Sequence, residues 1–313
     1  MIRTRLLPLG TALIVLLLGF VSATTLKAIG PDAYGYLAQA RTYDFEDLTS
    51  VEYNPTSVLD LSDDGTVTIP LGFPFVFYGT SYTTVSITVN GTLTFVAPDN
   101  DWTPVNFNTT APADDRPMIA AFWHDWSFQY AGSDSVYYQT VGTPGNRRLI
   151  VQWEAALSKT GPGNDTVTFE AKLFEGSNNI EFHYMDATVS DDPNVSNGKD
   201  ATVGIRDTAG QTKNPPRVLQ WLFNQANIGD LTAIQYIAPT FKVNSISRLT
   251  TKHIFLQCTG SPSRVNNVQS TDDLKNMVFG PLGTAAANSM GSFTYEDAGA
   301  TNLTRRFYRI VPP

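Results

Sequence analysis

The stretch AAFWHDW, residues 120–126, places a histidine and an aspartate between large aromatic side chains. Alternate residues of a β-strand point to opposite faces, so Trp123 and Asp125 share one face while His124 and Trp126 share the other. Both faces are then largely apolar, which is typical of a central, fully buried strand. Asp125 falls near the strand end, where a carboxylate either accepts backbone hydrogen bonds in a turn or binds a cation with a neighbouring acidic loop.

The acidic loop that best fits a cation site is DLSDDGT, which begins at Asp60. Asp60, Ser62 and Asp64 alternate as the first oxygen ligands of a calcium loop do, and a glycine follows them. The twelfth position is Leu71, where an EF-hand needs a bidentate glutamate, so an EF-hand is excluded. Together with Asp125, the three loop residues form a candidate Ca²⁺ site. The alternative interpretation is a solvated Asp-Gly turn that precedes a strand.

Signatures of enzymes are missing from the sequence. It has no G-x-S-x-G elbow, no H-E-x-x-H motif, no P-loop and no dinucleotide-binding glycine pattern. The three histidines lack the spacing of metal ligands. We therefore expect a protein that is not an enzyme. A glycoside hydrolase is the lesser alternative, because it needs only two carboxylates at a suitable separation, and Glu154, Glu170 and Glu181 are the candidates.

Aromatic side chains offer a second route to ligand binding. An exposed tryptophan presents a flat apolar ring that can stack on a sugar, and Trp102 and Trp126 are the candidates for this role. Most aromatic residues of a β-sandwich belong to its core, which is the competing interpretation. A carbohydrate-binding module is therefore the first alternative to a protein that binds other extracellular proteins.

The elements that position these residues are short strands joined by turns. In TTVSITVNGTLTFV, residues 83–96, apolar and polar residues alternate on both sides of Asn90-Gly91, which predicts a β-hairpin closed by a type I′ turn. The segment TVTIPLGFPFVFYG contains Pro70 and Pro74. Since proline donates no hydrogen bond to a sheet, this segment is predicted to be an edge strand or an extended arch.

A second hairpin is predicted in TVTFEAKLFEGSNNIEFHY. If Leu173 lies near Ile180, Lys172 is opposite Glu181, and Glu170 is opposite His183. Cross-strand pairs of this kind contribute only about 0.2–1 kcal/mol each. These charged residues are therefore interpreted as a ladder on the protein surface.

The N-terminus has the pattern of an export signal. Two arginines precede an apolar run that is shorter than the ~20 residues needed to span a bilayer, and small residues follow at the predicted cleavage site. We expect a signal peptide over residues 1–23, a secreted or cell-surface protein and no membrane span after cleavage. The alternative interpretation is an N-terminal anchor that is not cleaved. The single cysteine, Cys258, excludes an intramolecular disulfide framework and is predicted to be a buried thiol.

Length and charge indicate two domains and no nucleic-acid partner. The mature chain of about 290 residues exceeds the usual length of one domain. Residues 24–240 have 11 basic and 25 acidic side chains (−14), whereas residues 241–313 have eight basic and four acidic ones (+4). The overall charge of −8 argues against binding to nucleic acid. A boundary is predicted near YIAPTFKV, where a proline follows an apolar strand.

Several motifs occur together in an order that resembles a known family. They are the Asn90-Gly91 turn, MIAAFWHDW, RRLIVQWEAA, TVTFEAKLFEGSNNIEFHY and ATVGIRD. This order is similar to the NIDO domain of nidogen-type extracellular proteins and, more closely, to nidogen-like β modules of secreted bacterial proteins. The resemblance covers residues 30–238. Two departures are that Glu170 stands where the pattern often has glutamine, and that His124 precedes the expected Asp125.

The tail, residues 241–313, resembles the C-terminal β modules of secreted bacterial proteins. It carries a ST-D-L stretch at 270–274 and a closing R-F-Y-R strand at 306–309. The resemblance implies an Ig-like or fibronectin-like accessory domain. We therefore predict an all-β protein with a nidogen-like sandwich over 30–238 and a smaller Ig-like sandwich over 241–313.

The function that the resemblance implies is noncatalytic binding, in adhesion or in an extracellular matrix. The expected partner is an extracellular protein or a polysaccharide, and self-association in a purely structural role is a further alternative. Neither composition nor motifs identify the ligand.

Overall fold

A computed structural model describes residues 27–60, 62–96, 102–109, 116–128, 135–160 and 165–312. The predicted signal peptide lies outside these residues. The described residues form β-strands and two short 3₁₀ helices, Ser196–Gly198 and Ala298–Ala300, but no α-helix. No helix in this part of the chain is long and apolar enough to cross a membrane.

In chain order the strands are β1 (Ala28–Ile29), β2 (Leu37–Arg41), β3 (Thr56–Val58), β4 (Thr66–Phe77), β5 (Thr80–Thr88), β6 (Thr92–Thr94), β7 (Met118–Trp123), β8 (Trp126–Ser127), β9 (Ser135–Val141), β10 (Arg148–Ser158), β11 (Thr166–Phe174), β12 (Ile180–Asp186), β13 (Thr202–Arg206), β14 (Val218–Phe223), β15 (Thr232–Ile237), β16 (Lys242–Arg248), β17 (Ile254–Thr259), β18 (Val265–Thr271), β19 (Gly280–Ala286), β20 (Ser292–Asp297) and β21 (Phe307–Val311).

The first fifteen strands form two antiparallel sheets that share one apolar core. The larger sheet has nine strands in the order β1-β2-β15-β12-β11-β10-β9-β3, with β8 paired to β10. The smaller sheet has six strands in the order β14-β13-β7-β6-β5-β4. Side chains from both sheets make up a single buried cluster, in which Trp153 stacks on Phe169 with ring centroids 4.9 Å apart. The predicted all-β sandwich is confirmed.

Strand β7 is the central strand that its sequence predicts. All six of its residues are buried, and it lies between β13 and β6. Phe122 faces the main core, where its ring meets Trp126 and Phe169 edge to face at 5.3 Å. Trp123 belongs to a second, smaller cluster on the other face of the sheet with Phe107. Both faces of β7 are therefore covered, which explains why its sequence is apolar throughout.

The proline-containing segment is β4, at the edge of the six-stranded sheet. Its one neighbour among the described strands of the sheet is β5, and the pairing with β5 is interrupted between Pro70 and Phe75. The prolines are tolerated there because an edge strand has a partner on one side only. The predicted edge strand is confirmed.

The β5–β6 hairpin exists, but its predicted two-residue type I′ turn is wrong. Ile87 pairs with Leu93, and the hydroxyls of Thr88 and Thr92 lie 2.9 Å apart, which leaves a three-residue loop. Gly91 alone in this loop has a positive φ, of 78°. Such a loop combines a tight turn with one left-handed residue and adds a bulge to the hairpin.

The tail folds into two three-stranded sheets, β16-β17-β20 and β19-β18-β21, around a small core of its own. Cys258 is buried in this core, and burial raises the pKa of its thiol to about 11. Its Ig-like character stays a prediction. The tail contacts the large sandwich through Phe241, whose ring lies 5.7 Å from that of Tyr34, and through the Ser261 hydroxyl, which donates to the Tyr34 carbonyl.

The two motifs singled out in the tail are neighbours in space. Ser270 pairs with Tyr308 across β18 and β21. Arg306 donates from Nε to Asp272 (3.1 Å) and from Nη1 to the buried Asp297 (2.9 Å), which also accepts from the Tyr308 hydroxyl. Because Asp297 ends β20 in the opposite sheet, these bonds tie the two sheets of the tail together. The motifs thus have a structural role.

Replacement of Gly91 by alanine is expected to be much more destabilising than the same change at Gly145. Both glycines have a positive φ, so both variants carry the backbone strain of about 1–2 kcal/mol. A Cβ at Gly91 would lie 2.3 Å from the Phe122 carbonyl oxygen, whereas a Cβ at Gly145 meets nothing within 4 Å. We expect Gly91→Ala to lose at least about 2 kcal/mol more than Gly145→Ala in urea denaturation. Equal losses would contradict this account of the hairpin.

Candidate functional site

Three aspartates converge at one end of the large sandwich. Asp63 and Asp64 lie in the turn before β4, and Asp125 lies between β7 and β8. One carboxylate oxygen from each can be chosen so that all three lie within 4.8 Å of one another. Within the described residues this is the group of acidic, histidine or cysteine side chains that could hold a metal ion.

A buried asparagine holds these two loops together. Asn90 donates from Nδ2 to Asp64 Oδ1 (2.9 Å) and accepts from the Trp126 backbone N–H at Oδ1 (2.9 Å). Its carbonyl also accepts from the His124 N–H at 3.3 Å. The side chain is fully buried, so Asn90 is a structural link between the acidic loop and β8 rather than an exposed turn residue.

The structure brings together two of the four residues predicted to bind a cation. Asp64 and Asp125 belong to the three-aspartate group, whereas Asp60 is exposed and outside it. Ser62 contributes its carbonyl to a hydrogen bond from the Phe128 N–H (2.9 Å). Sequence reasoning missed Asp63, which pairs with Ser127 in an isolated bridge.

The reason for this difference is local. Asp64 adopts a left-handed conformation, with φ of 53°, and the alternation of a calcium loop does not continue through it. The consecutive residues Asp63 and Asp64 therefore both bring a carboxylate close to Asp125. The Asp-Asp-Gly sequence was the available signal.

The three carboxylates affect one another electrostatically. Partial burial and the negative charges of Asp64 and Asp63 raise the pKa of Asp125 to about 6, against the opposing effect of Lys159. Lys159 places Nζ 3.3 Å from Asp63 Oδ2 and donates its backbone N–H to the Asp125 carbonyl (2.9 Å). One lysine faces three acids, so the group favours a cation.

The donor set partly fits Ca²⁺. This ion takes six to eight oxygen ligands, and three carboxylates with neighbouring carbonyls and water can supply them. Carboxylate oxygens are also the hard ligands that calcium prefers. In the absence of a cation, the mutual repulsion of the three acids is expected to oppose folding at neutral pH.

His124 is a packing residue rather than a ligand in this geometry. It is buried, and its Nδ1 lies 2.6 Å from the Asp200 carbonyl while Nε2 lies 2.8 Å from the Ser158 hydroxyl. Both ring nitrogens are thus engaged, and burial lowers the pKa of the imidazole.

The two tryptophans predicted to stack on sugars have opposite surroundings. Trp126 is fully buried and donates its indole N–H to the Phe122 carbonyl (2.7 Å), so the prediction that it stacks on a ligand is wrong. Strand β8 pairs with the C-terminal end of β10, and Trp126 belongs to the buried core between the sheets. Trp102 is 51% exposed and remains available for stacking.

A second polar site lies on the outer face of the nine-stranded sheet, beneath residues 42–54, which we call the strap. The strap runs across the strands, and its backbone N–H groups at Asp44, Glu46 and Leu48 donate to side chains of three successive strands. The acceptors are His183 Nδ1 on β12 (3.1 Å), Glu170 Oε1 on β11 (3.1 Å) and Gln152 Oε1 on β10 (2.7 Å).

Glu46 is the charged anchor of the strap. Arg148 donates to it from Nε (2.6 Å) and Nη2, Lys172 places Nζ 2.9 Å from Oε1, and the Tyr53 hydroxyl donates at 3.1 Å. Partial burial alone would raise the pKa of Glu46, but the bonds from Arg148 and Lys172 outweigh it and lower the pKa to about 2. This carboxylate therefore stays ionised down to strongly acidic pH.

Glu170 has the opposite tendency. It is fully buried, and burial raises its pKa to about 8 although Lys172 Nζ lies 3.0 Å from Oε1. Its Oε2 has no hydrogen-bond partner among the described residues. A proton on Oε2 leaves Oε1 free to accept from the Glu46 N–H and Lys172, so we infer that Glu170 is mostly neutral at pH 7.

The predicted register of the β11–β12 hairpin is confirmed, but the predicted surface ladder is wrong. Leu173 pairs with Ile180, Lys172 with Glu181 and Glu170 with His183. The four polar side chains of these pairs are all buried, because the strap and neighbouring long side chains cover them. Glu181 is bonded by Arg41, Gln235 (2.9 Å) and His183 (3.2 Å).

A cleft of about 660 Å³ opens beside the strap. Its lining includes Arg41, Phe45, Glu46, Tyr53, Arg148 and Phe174. The guanidinium groups that reach it are already paired with glutamates. Among the carboxylates considered for hydrolysis, Glu170 lies buried behind this lining, Glu181 borders the cleft but is paired with Arg41, and Glu154 accepts from Gln152 (2.7 Å).

The larger sandwich matches a known protein family. The family model described as NIDO related matches residues 35–243, which include both the three-aspartate group and the strap. The chain belongs to the NIDO-related family. No solved structure matches it.

Within the NIDO-related domain, the position of Glu170 has a physical meaning. The nidogen-like pattern often has glutamine there, and a neutral glutamate presents a similar oxygen to the strap. A glutamate that takes up a proton on folding makes stability depend on pH, which a glutamine does not. The buried polar face thus tolerates either residue near neutral pH.

Replacement of Glu170 by glutamine is expected to flatten the pH dependence of stability. The folded-state pKa is raised, so the contribution of Glu170 is present below the ordinary value of 4.5 and is lost as pH rises towards about 8. The free energy of unfolding of the wild type should fall across this range with a slope approaching about 1.4 kcal/mol per pH unit. Urea denaturation at several pH values measures this slope.

Glu175→Gln is the matched control. Glu175 pairs with Arg147 on the surface, and that pairing lowers its pKa to about 2, so its titration lies below the range of the test. The control should keep the wild-type slope. A Glu170→Gln protein with the same slope as the wild type would show that Glu170 is ionised in the folded protein.

Proposed function

We propose that this protein is a secreted, noncatalytic binding module that acts in adhesion or in an extracellular matrix. Its membership of the NIDO-related family supports an extracellular role. The observation that carries the noncatalytic part is the state of the candidate carboxylates. Glu170 is fully buried beneath the strap and bonded to Lys172, and Glu181 borders the cleft but is paired with Arg41, so neither carboxylate is free to act on a substrate in this conformation.

The binding surface that we propose is the end of the sandwich that bears Asp63, Asp64 and Asp125. Loops at the end of a rigid β-sandwich are suited to recognition because the sheets hold them while their sequences vary. A bound Ca²⁺ would neutralise the three acids and fix the two loops relative to each other. The proposed partner is an extracellular protein or a polysaccharide that contacts these loops.

A carbohydrate-binding role is the alternative that one observation favours. Trp102 exposes half of its side chain, and a flat exposed indole is suited to stacking on a sugar ring. This alternative does not require a cation. Whether ligand binding requires calcium therefore distinguishes the two proposals.

Calcium is expected to stabilise the protein through the three aspartates. Thermal unfolding at about pH 7.5 should shift to higher temperature with Ca²⁺ than with chelator, because a ligand that binds only the folded state raises its stability. Asp125→Asn should unfold at a higher temperature than the wild type in chelator. The substitution removes a negative charge that partial burial and the nearby Asp64 and Asp63 make unfavourable. The same variant should lose the response to Ca²⁺.

Asp60→Asn is the control for this experiment. Asp60 lies in the same loop but outside the three-aspartate group, so its variant should respond to Ca²⁺ as the wild type does. A wild-type protein that shows no shift with Ca²⁺ would remove the cation from the proposal. A Ca²⁺ response that is lost in Asp60→Asn and kept in Asp125→Asn would place the cation in the loop that begins at Asp60, without Asp125.

Binding of the protein to an array of polysaccharides and matrix proteins tests the function itself. We expect a specific ligand whose binding is lost with chelator and in Asp125→Asn. Binding that ignores chelator but falls at least tenfold in Trp102→Ala would instead support the carbohydrate alternative. Leu231→Ala, at another exposed apolar side chain, is the control for a general surface effect. Turnover of a glycan would contradict the noncatalytic proposal.

A further inference from the structure

The strap is held to the sheet by groups that titrate at very different pH. Its N-terminal part is bonded through Asp44 N–H to His183 Nδ1, and its middle is bonded through the carboxylate of Glu46 to Arg148 and Lys172. A neutral imidazole and an ionised carboxylate are therefore two of the anchors, beside Glu170 and Gln152. His183 and Glu46 change protonation state at different pH.

The hydrogen bonds of His183 define its tautomer. Nδ1 receives the Asp44 N–H, so Nδ1 has no proton, and Nε2 lies 3.2 Å from Glu181 Oε2, to which it donates. Protonation would place a hydrogen on Nδ1 directly against the Asp44 N–H. Two donors would then face each other, and the strap would lose its acceptor at this point.

The surroundings of His183 oppose a charge on the ring in the closed state. The side chain is fully buried, and burial together with the positive charges of Lys172 on β11 and Arg41 on β2 lowers its pKa, while Glu181 on β12 acts in the other direction. Glu170 lies directly opposite on β11, and the Tyr43 ring of the strap lies 6.1 Å away. An open strap would expose the ring to water and relieve the burial.

We propose that the N-terminal part of the strap, residues 42–45, is an acid-released cover that detaches from the sheet when His183 is protonated at Nδ1. Proton linkage determines whether acid opens or closes the strap. An imidazole with a lowered pKa in the closed state binds protons more readily in the open state, so a fall in pH below about 6.5 favours opening. The remaining bond from Lys172 to the Asp44 carbonyl limits the opening but does not depend on His183.

Glu46 holds the rest of the strap through the same range. Its carboxylate keeps its charge well below the pH at which histidine titrates, so its bonds to Arg148 and Lys172 persist. Opening is therefore partial and reversible, because Glu46 keeps the rest of the strap on the sheet. Release uncovers the charged face around His183 and Glu181 next to the cleft.

Hydrogen exchange of the full chain from about pH 7.5 to about pH 5 tests the proposal, after correction for the intrinsic exchange rate. Protection of the Asp44 amide, which donates to His183 Nδ1, should fall by up to tenfold per pH unit below about 6.5, since one proton is taken up. Protection of β5, far from the strap, serves as the internal reference. Strap protection that follows the reference at every pH would overturn the proposal.

His183→Asn is the deciding variant, because an asparagine oxygen can take the place of Nδ1 as acceptor and does not titrate in this range. Its strap protection should be independent of pH. His253→Asn is the matched control, since His253 bonds to Glu296 in the tail, and it should behave as the wild type. A His183→Asn protein that keeps the wild-type pH dependence would refute the role of His183.

The wild-type protein provides a second test that does not depend on how the variant folds. Nitrogen-15 NMR of the histidine rings should show His183 neutral at pH 7 with its proton on Nε2. It should also show that ring becoming charged over the same pH range in which strap protection falls. A ring that is charged at pH 7, or that carries its proton on Nδ1, would overturn the proposal.

Discussion

The outer face of the nine-stranded sheet depends on one constraint, which is that buried polar groups need hydrogen-bond partners. Strands β10, β11 and β12 direct Gln152, Glu170 and His183 away from the core, where a sheet usually faces water. The strap covers them, and its own N–H groups donate to these three side chains. Each side chain thereby satisfies a strap amide that would otherwise lose its partner, so the sheet face and the strap depend on each other. Removal of either would leave buried polar atoms unpaired, at a cost of about 1–3 kcal/mol for each.

The same constraint organises the end of the sandwich. Asn90 is buried at a hairpin turn, and its amide joins the loop of Asp64 to the backbone of Trp126. This arrangement requires close contact between the hairpin and β7, which Gly91 allows because any Cβ there would meet the Phe122 carbonyl. The convergence of three aspartates is a consequence of this packing. The proposed binding end and the strap thus both depend on polar side chains (amide, carboxyl or imidazole) that bond to backbone from distant parts of the chain.

Much of the fold could be predicted from the sequence, because a strand repeats every two residues. Alternation in residues 166–184 gave the hairpin, its register and the set of residues on each face, all of which the structure bears out. The continuous apolar run of β7 indicated a strand covered on both sides, and the prolines of β4 indicated an edge. The candidate site was predictable only in part: the Asp-Asp-Gly loop and Asp125 were recognisable as acids near strand ends, whereas the choice of Asp63 over Asp60 was not.

The sequence by itself determined the all-β class, the strands and which side chains share a face, because these follow from local periodicity and turn chemistry. Only the tertiary structure decided what lies over each face. Glu170 and Glu46 are 124 residues apart in the chain, and no local pattern indicates that one covers the other. The burial of the polar ladder, the burial of Trp126 and Asn90, and the meeting of Asp63 with Asp125 all come from such long-range contacts. Burial is a property of the whole fold, and it changes the charge state and the role of a residue without changing its local sequence.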